Sequence, residues 1–291
     1  MLSGSIVAIV TPMKESGELD LGAFKSLILW HKAAGTEAVV VAGTTGESTA
    51  LSLEEVISLV DVAIEHSGDT MKVIVGNGAA CTAKSKEITQ KLNVLAIDGF
   101  LTVTPYYVKP SQSGLIKHFE AVADAATHPV YLYNVPGRTA VSLDNESVFE
   151  LAKHDNILGI KDATGELSVA KELIQHCKGQ FSVLSGDDAT SHEFMALGGD
   201  GVISVTANLV PEQMAKRCRL TLNNDIESAL HIERQIEELH TLLFCEANPI
   251  PVKWALAQMK KVNPYIRLPL TTLETERDAL LTAMRRLSLV A

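Results

Sequence analysis

The chain has 291 residues, of which 46% are hydrophobic and 21% are charged. This apolar content excludes a disordered chain, because enough side chains can be buried to offset the entropy lost on folding. The 25 basic and 35 acidic residues give a formal net charge of −10, unlike the basic surfaces that bind nucleic-acid phosphates. We therefore expect one large domain with a small addition and no nucleic-acid partner.

No apolar run reaches the about 18 residues that a membrane helix needs. Residues Met1–Ser5, ahead of the first apolar run, contain no Lys or Arg, which argues against a secretory signal. The cysteines form no C-x-x-C pair and lie far apart, at Cys81, Cys177, Cys218 and Cys245. This usage is typical of reduced thiols, so we expect a cytoplasmic protein without a disulfide framework, a zinc site or a membrane partner.

Short apolar, β-branched segments recur along the first two thirds of the chain. They are continuous apolar runs, as in strands that are buried on both faces. The predicted strands are Ser5–Thr11, Ala38–Ala42, Lys72–Gly76, Gly99–Thr104, Val130–Asn134, Ile157–Lys161, Phe181–Ser185 and Gly201–Ser204.

Helical patterns fill the gaps between these strands. Asp20 is the expected N-cap of one amphipathic stripe, and Ser52 and Glu55 have the spacing of a capping box. Gly198 and Pro211 are typical of a helix end and a helix start.

Strands that alternate with helices in this way predict a (β/α)8 TIM barrel. A doubly wound open sheet is the alternative, but it needs fewer strands, and no dinucleotide-binding loop follows the first strand. After Asn223 the strand pattern stops, and residues 226–244, 252–259 and 273–287 look helical. We predict a catalytic barrel over residues 1–223 and a C-terminal helical region over residues 224–291.

Active sites of such barrels lie where the strands end, which draws attention to Lys161 at the end of the sixth strand. Gly159 lies on the same side of that strand and should leave room for the lysine stem. Burial disfavours the ammonium form, and a neutral amine can attack a ketone to form a Schiff base. The alternative is a structural lysine whose ammonium reaches solvent.

Tyrosines cluster in the segments around the fourth and fifth strand ends, at Tyr106, Tyr107, Tyr131 and Tyr133. A phenol can carry protons to and from a reacting imine when hydroxyl partners such as Thr44 and Thr45 align it. Tyrosines are also common in strands and interfaces. We favour a catalytic function for Tyr133 and leave both interpretations open for Tyr107.

The same strand ends carry groups suited to binding carboxylates. Arg138 follows a Pro-Gly turn that could hold its guanidinium for bidentate capture, although a surface salt bridge has equal support from spacing. The Thr44-Thr45-Gly46 turn offers N–H and hydroxyl groups for a second carboxylate. Asp187 and Asp188 are expected to cap the next helix rather than to bind a metal.

Together these segments resemble the dihydrodipicolinate synthase family, within the class I aldolase and N-acetylneuraminate lyase superfamily. The resemblance covers nearly the whole chain, and its motifs occur in the family's order. They are SGSIVAIVTP (3–12), GTTGES (43–48), TPYY (104–107), KPSQ (109–112), YNVPGR (133–138), GIKDATG (159–165), SGDD (185–188), GVISVTAN (201–208) and NPIPVK (248–253).

The resemblance implies that the chain condenses pyruvate with L-aspartate-4-semialdehyde to give 4-hydroxy-tetrahydrodipicolinate in lysine (diaminopimelate) biosynthesis. Lys161 would form the imine with pyruvate, without a metal or another cofactor. Tyr133 would be the general acid and base, and Thr44 and Tyr107 would complete its hydroxyl relay.

The same resemblance implies the substrate-binding residues and the assembly. Thr45, Gly186 and the backbone of Ile203 would bind pyruvate, and Arg138 would bind the carboxylate of the semialdehyde. Tyr107 would reach into the site of a neighbouring subunit, so a dimer is the minimum and a homotetramer, a dimer of dimers, is expected.

One region departs from the lysine-inhibited members of the family, which bind lysine at the dimer interface. Ser48 and Tyr106 remain, but Leu53 and Val56 replace two histidines, Ala80 replaces an asparagine, and Lys84 replaces a glutamate. A cation in place of an anion repels the ammonium of the ligand. We predict weak or absent inhibition by lysine.

Two other hypotheses remain. The Schiff-base lysine could serve a different aldehyde, as in N-acetylneuraminate lyase or sugar-acid aldolases, which lack an arginine in the position of Arg138. A non-catalytic barrel would bind a keto acid without a covalent adduct. The intact set of Lys161, Tyr133, Thr44 and Tyr107 argues against the second hypothesis.

Overall fold

Eight parallel strands close into a barrel in chain order in the computed structural model, which describes residues 1–177 and 179–291. The first strand pairs with both the second and the last, so the sheet has no free edge. The strands are β1 Gly4–Ala8, β2 Ala38–Val41, β3 Lys72–Gly76, β4 Gly99–Val103, β5 Val130–Asn134, β6 Ile157–Asp162, β7 Ser182–Ser185 and β8 Gly201–Ser204. The prediction of a (β/α)8 barrel is confirmed.

The largest difference from the predicted strands is at β1, which ends at Ala8 rather than at Thr11. The Ile9 N–H still donates to the Val40 carbonyl of β2 at 3.3 Å, and beyond Ile9 the chain bonds to other segments. The Val10 N–H donates to Asn208 Oδ1 at 3.2 Å, and the Thr11 hydroxyl donates to the Gly46 carbonyl at 2.7 Å. The apolar pattern continues because this loop is buried too.

Helices cover the outside of the barrel between successive strands. The Asp20 side chain caps the first helix, and Ser52 and Glu55 form the predicted capping box of the second. The helices are α1 Leu21–Ala34, α2 Leu53–Ser67, α3 Thr82–Leu92, α4 Gln112–Ala125, α5 Pro136–Thr139, α6 Asn145–Leu151, α7 Leu167–Cys177, α8 Ser191–Ala196, α9 Pro211–Leu222, α10 Ile226–Leu242, α11 Ile250–Gln258 and α12 Arg277–Arg286.

The strands have apolar side chains on both faces, which gives the molecule two apolar layers. One layer lies between the strands and the helices. The other fills the barrel and includes Ile6, Tyr131, Tyr133 and Ile203. Because side chains alternate along a strand, Tyr131 and Tyr133 both point into the barrel, and Tyr133 lies beside Lys161 on the neighbouring strand.

The C-terminal helices pack onto the barrel through the outer apolar layer. Leu239 in α10, Leu256 in α11 and Leu280 in α12 belong to the same cluster as Val7 in β1. The predicted division at residue 223 falls between the end of α9 and the start of α10, and it stays a prediction. No helix in the described part of the chain is long and apolar enough to cross a membrane.

Candidate active site

Lys161 lies near the end of β6, where strand pairing places it next to Tyr133 of β5. Its Nζ is 4.2 Å from the centroid of the Tyr133 ring. Lys161 is 6% exposed and Tyr133 is 7% exposed, so the amine does not reach bulk solvent as a structural surface lysine would. Across residues 1–177 and 179–291, no carboxylate forms an ion pair with Lys161. The amine is therefore buried without a counter-ion from the described part of the chain.

The glycine that makes room for the lysine stem is Gly186 rather than Gly159. A Cβ atom on Gly186 would lie 2.7 Å from Lys161 Cε, closer than real Cβ atoms approach their neighbours. A Cβ atom on Gly159 would instead meet the Ser182 carbonyl at 2.6 Å and the Tyr131 ring at 2.8 Å. The prediction for Gly159 was wrong because the Tyr131 ring, from the neighbouring strand, fills the space there.

A cavity of about 120 Å³ opens beside the Lys161 amine at this end of the barrel. Pockets for drug-sized ligands have about 300–1,000 Å³, so this volume suits a small substrate. Six of the eight predicted site residues line the cavity: Thr44, Thr45, Tyr133, Arg138, Lys161 and Gly186.

The other two predicted site residues, Tyr107 and Ile203, do not line this cavity. Tyr107 is 90% exposed on the loop after β4, with a backbone φ of 75°. Ile203 is buried inside the barrel, and Val205, two residues later, lines the cavity. The predicted roles of Tyr107 and Ile203 stay predictions.

The two candidate carboxylate-binding groups differ in burial. Thr45 is 2% exposed on the loop after β2, whereas Arg138 is exposed on the short helix α5. Both contact Asn248, which the sequence analysis included only within a motif. The Asn248 Nδ2 donates to Thr45 Oγ1 at 2.9 Å, and Arg138 Nη2 donates to the Asn248 carbonyl at 3.1 Å. Nothing but its position in the NPIPVK motif could have identified Asn248, since its contacts are 203 and 110 residues away.

A buried ion pair holds the loop that carries Thr44 and Thr45. Lys253 Nζ in α11 lies 2.5 Å from Glu47 Oε1, with side chains 3% and 2% exposed. Burial lowers the pKa of Lys253, and the neighbouring Glu47 charge opposes this shift. The Arg267 N–H donates to the other Glu47 oxygen at 3.2 Å. The loop is thus fixed from the C-terminal region.

Two acidic side chains on the strands that carry Lys161 and Tyr133 are buried, which favours their neutral forms. Burial raises the pKa of Asp162, although Thr164 and Asn134 donate hydrogen bonds to its carboxylate. Burial also raises the pKa of Tyr131 to about 12. The Tyr131 phenol therefore holds its proton firmly, and Tyr133 is the tyrosine that lines the cavity.

Asp187 and Asp188 have different partners, which corrects the prediction that both cap the next helix. Asp187 Oδ2 accepts from the N–H of Thr190, the residue just before α8, at 3.0 Å. Asp188 Oδ2 accepts from the N–H groups of Val205 and Thr206 at 2.8 and 3.0 Å. Asp188 thus holds the turn after β8, because that strand end lies beside the end of β7.

A larger cavity of about 620 Å³ adjoins the first one and shares Thr44 and Arg138 with it. The residues that the resemblance assigns to the lysine-binding region line this cavity, apart from Ala80. They are Ser48, Leu53, Val56, Lys84 and Tyr106.

No group of three or more His, Cys, Asp or Glu side chains in the described residues is placed to hold a metal ion. The four cysteines are free thiols, two of them buried. The expectation that the chain needs no cofactor stays a prediction.

The chain is similar to proteins of one known family over nearly its whole length. The model of the dihydrodipicolinate synthetase family matches residues 1–286. The 4-hydroxy-tetrahydrodipicolinate synthase of Shewanella pealeana is 49% identical over 282 residues, which cover 97% of this chain and 96% of the relative.

Solved structures are similar over the full length. The chloride-inhibited dihydrodipicolinate synthase of Acinetobacter baumannii, complexed with pyruvate, has a TM-score of 0.97 and 44% identity and covers 100% of both chains. The enzyme of Cyanidioschyzon merolae with lysine bound has a TM-score of 0.95 and 36% identity, covering 99% of each chain. The resemblance that the motifs indicated is confirmed. The chain therefore belongs to the dihydrodipicolinate synthetase family, and it is an enzyme with the barrel fold of that family.

Proposed function

We propose that the chain condenses pyruvate with L-aspartate-4-semialdehyde, and that Lys161 is the amine that forms the imine. The observation that carries this proposal is the Lys161 amine, buried over the Tyr133 ring at 4.2 Å and lining a small cavity. The similar Acinetobacter enzyme is complexed with pyruvate, which supports the same first substrate here.

In the first stage the neutral Lys161 amine attacks C2 of pyruvate. The carbinolamine loses water to give an imine, whose positive nitrogen acidifies the adjacent methyl group. Removal of one methyl proton then gives an enamine. Tyr133, whose side chain lines the same cavity, is the group that carries these protons, with Thr44 as its hydroxyl partner.

In the second stage the enamine carbon attacks the aldehyde carbon of the semialdehyde, and the new alkoxide takes up a proton. The amino group of the semialdehyde then attacks the imine carbon. The bond from that carbon to Lys161 Nζ breaks, and the amine leaves with a proton. The products are 4-hydroxy-tetrahydrodipicolinate and the water released when the imine formed.

Each substrate carries a carboxylate that needs its own donors. Thr45, buried at the cavity wall, would donate to the carboxylate of pyruvate together with backbone groups near Gly186 and Ile203. Arg138, exposed at the cavity mouth, would bind the carboxylate of the semialdehyde through its planar guanidinium. The second substrate arrives after the first, so an outer position suits its binding group.

The proposal includes an assembly of at least two chains, arranged as a homotetramer. Tyr107 and Val108 are 90% and 56% exposed on the loop after β4, and an exposed aromatic side chain such as that of Tyr107 is typical of interfaces. Tyr107 would complete the hydroxyl relay of a neighbouring chain. We also propose a cytoplasmic location, supported by the four free thiols, and no cofactor beyond the imine itself.

We propose that lysine inhibits this chain weakly or not at all. The cavity lined by Ser48 and Tyr106 carries apolar Leu53 and Val56 and the exposed ammonium of Lys84. That ammonium would repel the side-chain or α-ammonium of lysine. An inhibition curve at saturating substrates tests this, and half-inhibition at sub-millimolar lysine would contradict it.

The main experiment traps the imine. The protein is mixed with pyruvate, reduced with borohydride and digested, and the modified peptide is mapped by mass spectrometry. We expect the added mass on Lys161, and its complete loss in Lys161→Ala. Aspartate semialdehyde is then supplied, and the cyclic product is measured. An adduct on another lysine, or an adduct without the cyclic product, would contradict the proposed function.

A further inference from the structure

Asn248 connects the C-terminal region to the wall of the catalytic cavity. It precedes α11 in a turn, is 6% exposed, and lines the cavity beside Lys161. Its side-chain amide donates to the Thr45 hydroxyl at 2.9 Å. Its side-chain oxygen Oδ1 is buried without a hydrogen-bond partner among the described residues. Among the residues that the structure describes, the Asn248 side chain therefore hydrogen-bonds to Thr45 alone.

The direction of this hydrogen bond determines what Thr45 can do. A hydroxyl has one proton to donate and two lone pairs that accept. Because the Asn248 N–H occupies a lone pair of Thr45, the hydroxyl proton of Thr45 remains free for another acceptor. A carboxylate in the cavity is such an acceptor, and hydrogen bonds to a charged group are the stronger ones.

Thr45 and Asn248 are each held in place by contacts other than the hydrogen bond between their side chains. The Glu47–Lys253 ion pair at 2.5 Å ties the Thr45 loop to α11. On the other side, Arg138 binds the backbone carbonyl of Asn248 at 3.1 Å rather than its side chain. A change of the Asn248 side chain should therefore act on Thr45 and leave the Arg138 contact in place.

We propose that Asn248 is a positioning residue for the keto acid, which orients the Thr45 hydroxyl so that it donates to the carboxylate of pyruvate. The proposal rests on the proposed function and adds a residue of the C-terminal region to the binding of the first substrate. Asn248 acts through Thr45, and no contact of its own with the substrate is needed.

The test measures how much pyruvate half-saturates borohydride trapping on Lys161, which does not involve the second substrate. Asn248→Ala removes the donor to Thr45, and we expect the half-saturating concentration to rise about 2- to 12-fold. Asn248→Asp keeps the shape but presents a carboxylate that only accepts. The carboxylate accepts a hydrogen bond from the Thr45 hydroxyl, which turns that donor away from the substrate, and it repels the pyruvate anion, so we expect a rise above about 10-fold.

Two comparisons separate this role from general damage. In a Thr45→Val background, Asn248→Ala should cause no further rise, because the group through which it acts is gone. The half-saturating semialdehyde concentration in turnover should stay at the parent value. The matched control is Asn263→Ala, whose exposed amide binds Asp20 Oδ2 at 3.2 Å far along the chain from Thr45, and which should trap pyruvate like the parent.

The outcomes distinguish this inference from the proposed function. If the parent protein traps no pyruvate on Lys161, the proposed function fails. If the parent traps pyruvate but both Asn248 variants saturate like the parent, the role of Asn248 is wrong. An equal rise from Asn248→Ala with and without Thr45→Val would also overturn it. Should Asn248→Ala fail to fold by circular dichroism, the near-isosteric Asn248→Leu variant, which also removes the donor without adding a charge, carries the same comparison.

Discussion

The floor of the candidate active site (Lys161, Tyr133 and Thr45) is closed off from water. Three exposed residues around it, which we call the rim, are open: Arg138 at the cavity mouth, Tyr107 on the loop after β4 and Lys84 at the adjoining cavity. The floor residues are 6%, 7% and 2% exposed. On the rim, Tyr107 is 90% exposed, and Arg138 lies on a helix of four residues. Under the proposed function, a single chain preorganises the groups that form the imine. Recognition of the second substrate would then fall to exposed groups that a neighbouring chain could complete.

Among tests of the floor residues, we expect the largest loss of activity when the Tyr133 hydroxyl is removed. Tyr133→Phe keeps the ring that packs against Lys161 but removes the hydroxyl that is proposed to carry the protons, so we expect kcat to fall about 100- to 10,000-fold. Steady-state kinetics measure it, with thermal unfolding as the check on folding. Tyr131→Phe is the matched control, because burial holds the Tyr131 phenol protonated. Equal kcat values for the two variants would contradict the assigned role.

A second change tests whether buried contacts hold the floor in place. Lys253→Met leaves the Glu47 carboxylate buried without its partner, and we expect the free energy of unfolding to fall by about 3–5 kcal/mol. Urea unfolding measures it. On the rim, Lys84→Met breaks only the exposed pair with Glu87, whose side chains are 56% and 46% exposed, and should cost less than about 1 kcal/mol. Similar costs for both variants would remove the difference between floor and rim.

Arg138 tests the rim as the binding place of the second substrate. Arg138→Ala removes a charge-assisted pair worth about 1.5–3 kcal/mol, so we expect KM for aspartate semialdehyde to rise about 10- to 150-fold. The concentration of pyruvate that half-saturates imine trapping should rise far less, because only the contact of Arg138 with the Asn248 carbonyl is lost on that side. If semialdehyde KM is unaffected, an aldolase that uses a different aldehyde becomes the better hypothesis.

The smallest expected signal concerns Tyr107 and needs two inactive variants together. In this test, Lys161→Ala chains and Tyr107→Phe chains are unfolded, mixed in equal amounts and refolded together. If Tyr107 acts in the neighbouring site, the mixture should regain about a quarter of the intact sites of the parent. Half of the random dimers are mixed, and each mixed dimer carries one intact site. Product formation measures the recovery. No gain over the separately refolded variants would place Tyr107 outside the neighbouring site.

Strands and helices were predictable from local patterns because the barrel buries both faces of its strands. Each of the eight apolar runs overlaps an observed strand, and the N-cap of α1 and the capping box of α2 are where the residue types indicated. The β1 end differed because a buried loop has the same apolar pattern as a strand. Hydrophobic periodicity reports burial, and it does not report the bonding partner.

The sequence predicted only those site residues that lie at strand ends or within motifs. Lys161 and Tyr133 end neighbouring strands, so their proximity follows from the barrel order. Gly186, rather than Gly159, receives the lysine stem, and Asp188 holds the turn after β8 rather than the next helix. Asn248 reaches Thr45 across 203 residues. Each of these depends on where a side chain ends up in space.

From its amino-acid order alone, the chain determines eight buried strands, the helices between them and a lysine near a strand end, because propensity and periodicity are local properties. Only the tertiary structure decided which groups meet: Lys161 against Gly186, Glu47 with Lys253, and Asn248 on Thr45. Barrel closure and the docking of α11 create these contacts between distant segments, and no local pattern encodes a distance between them.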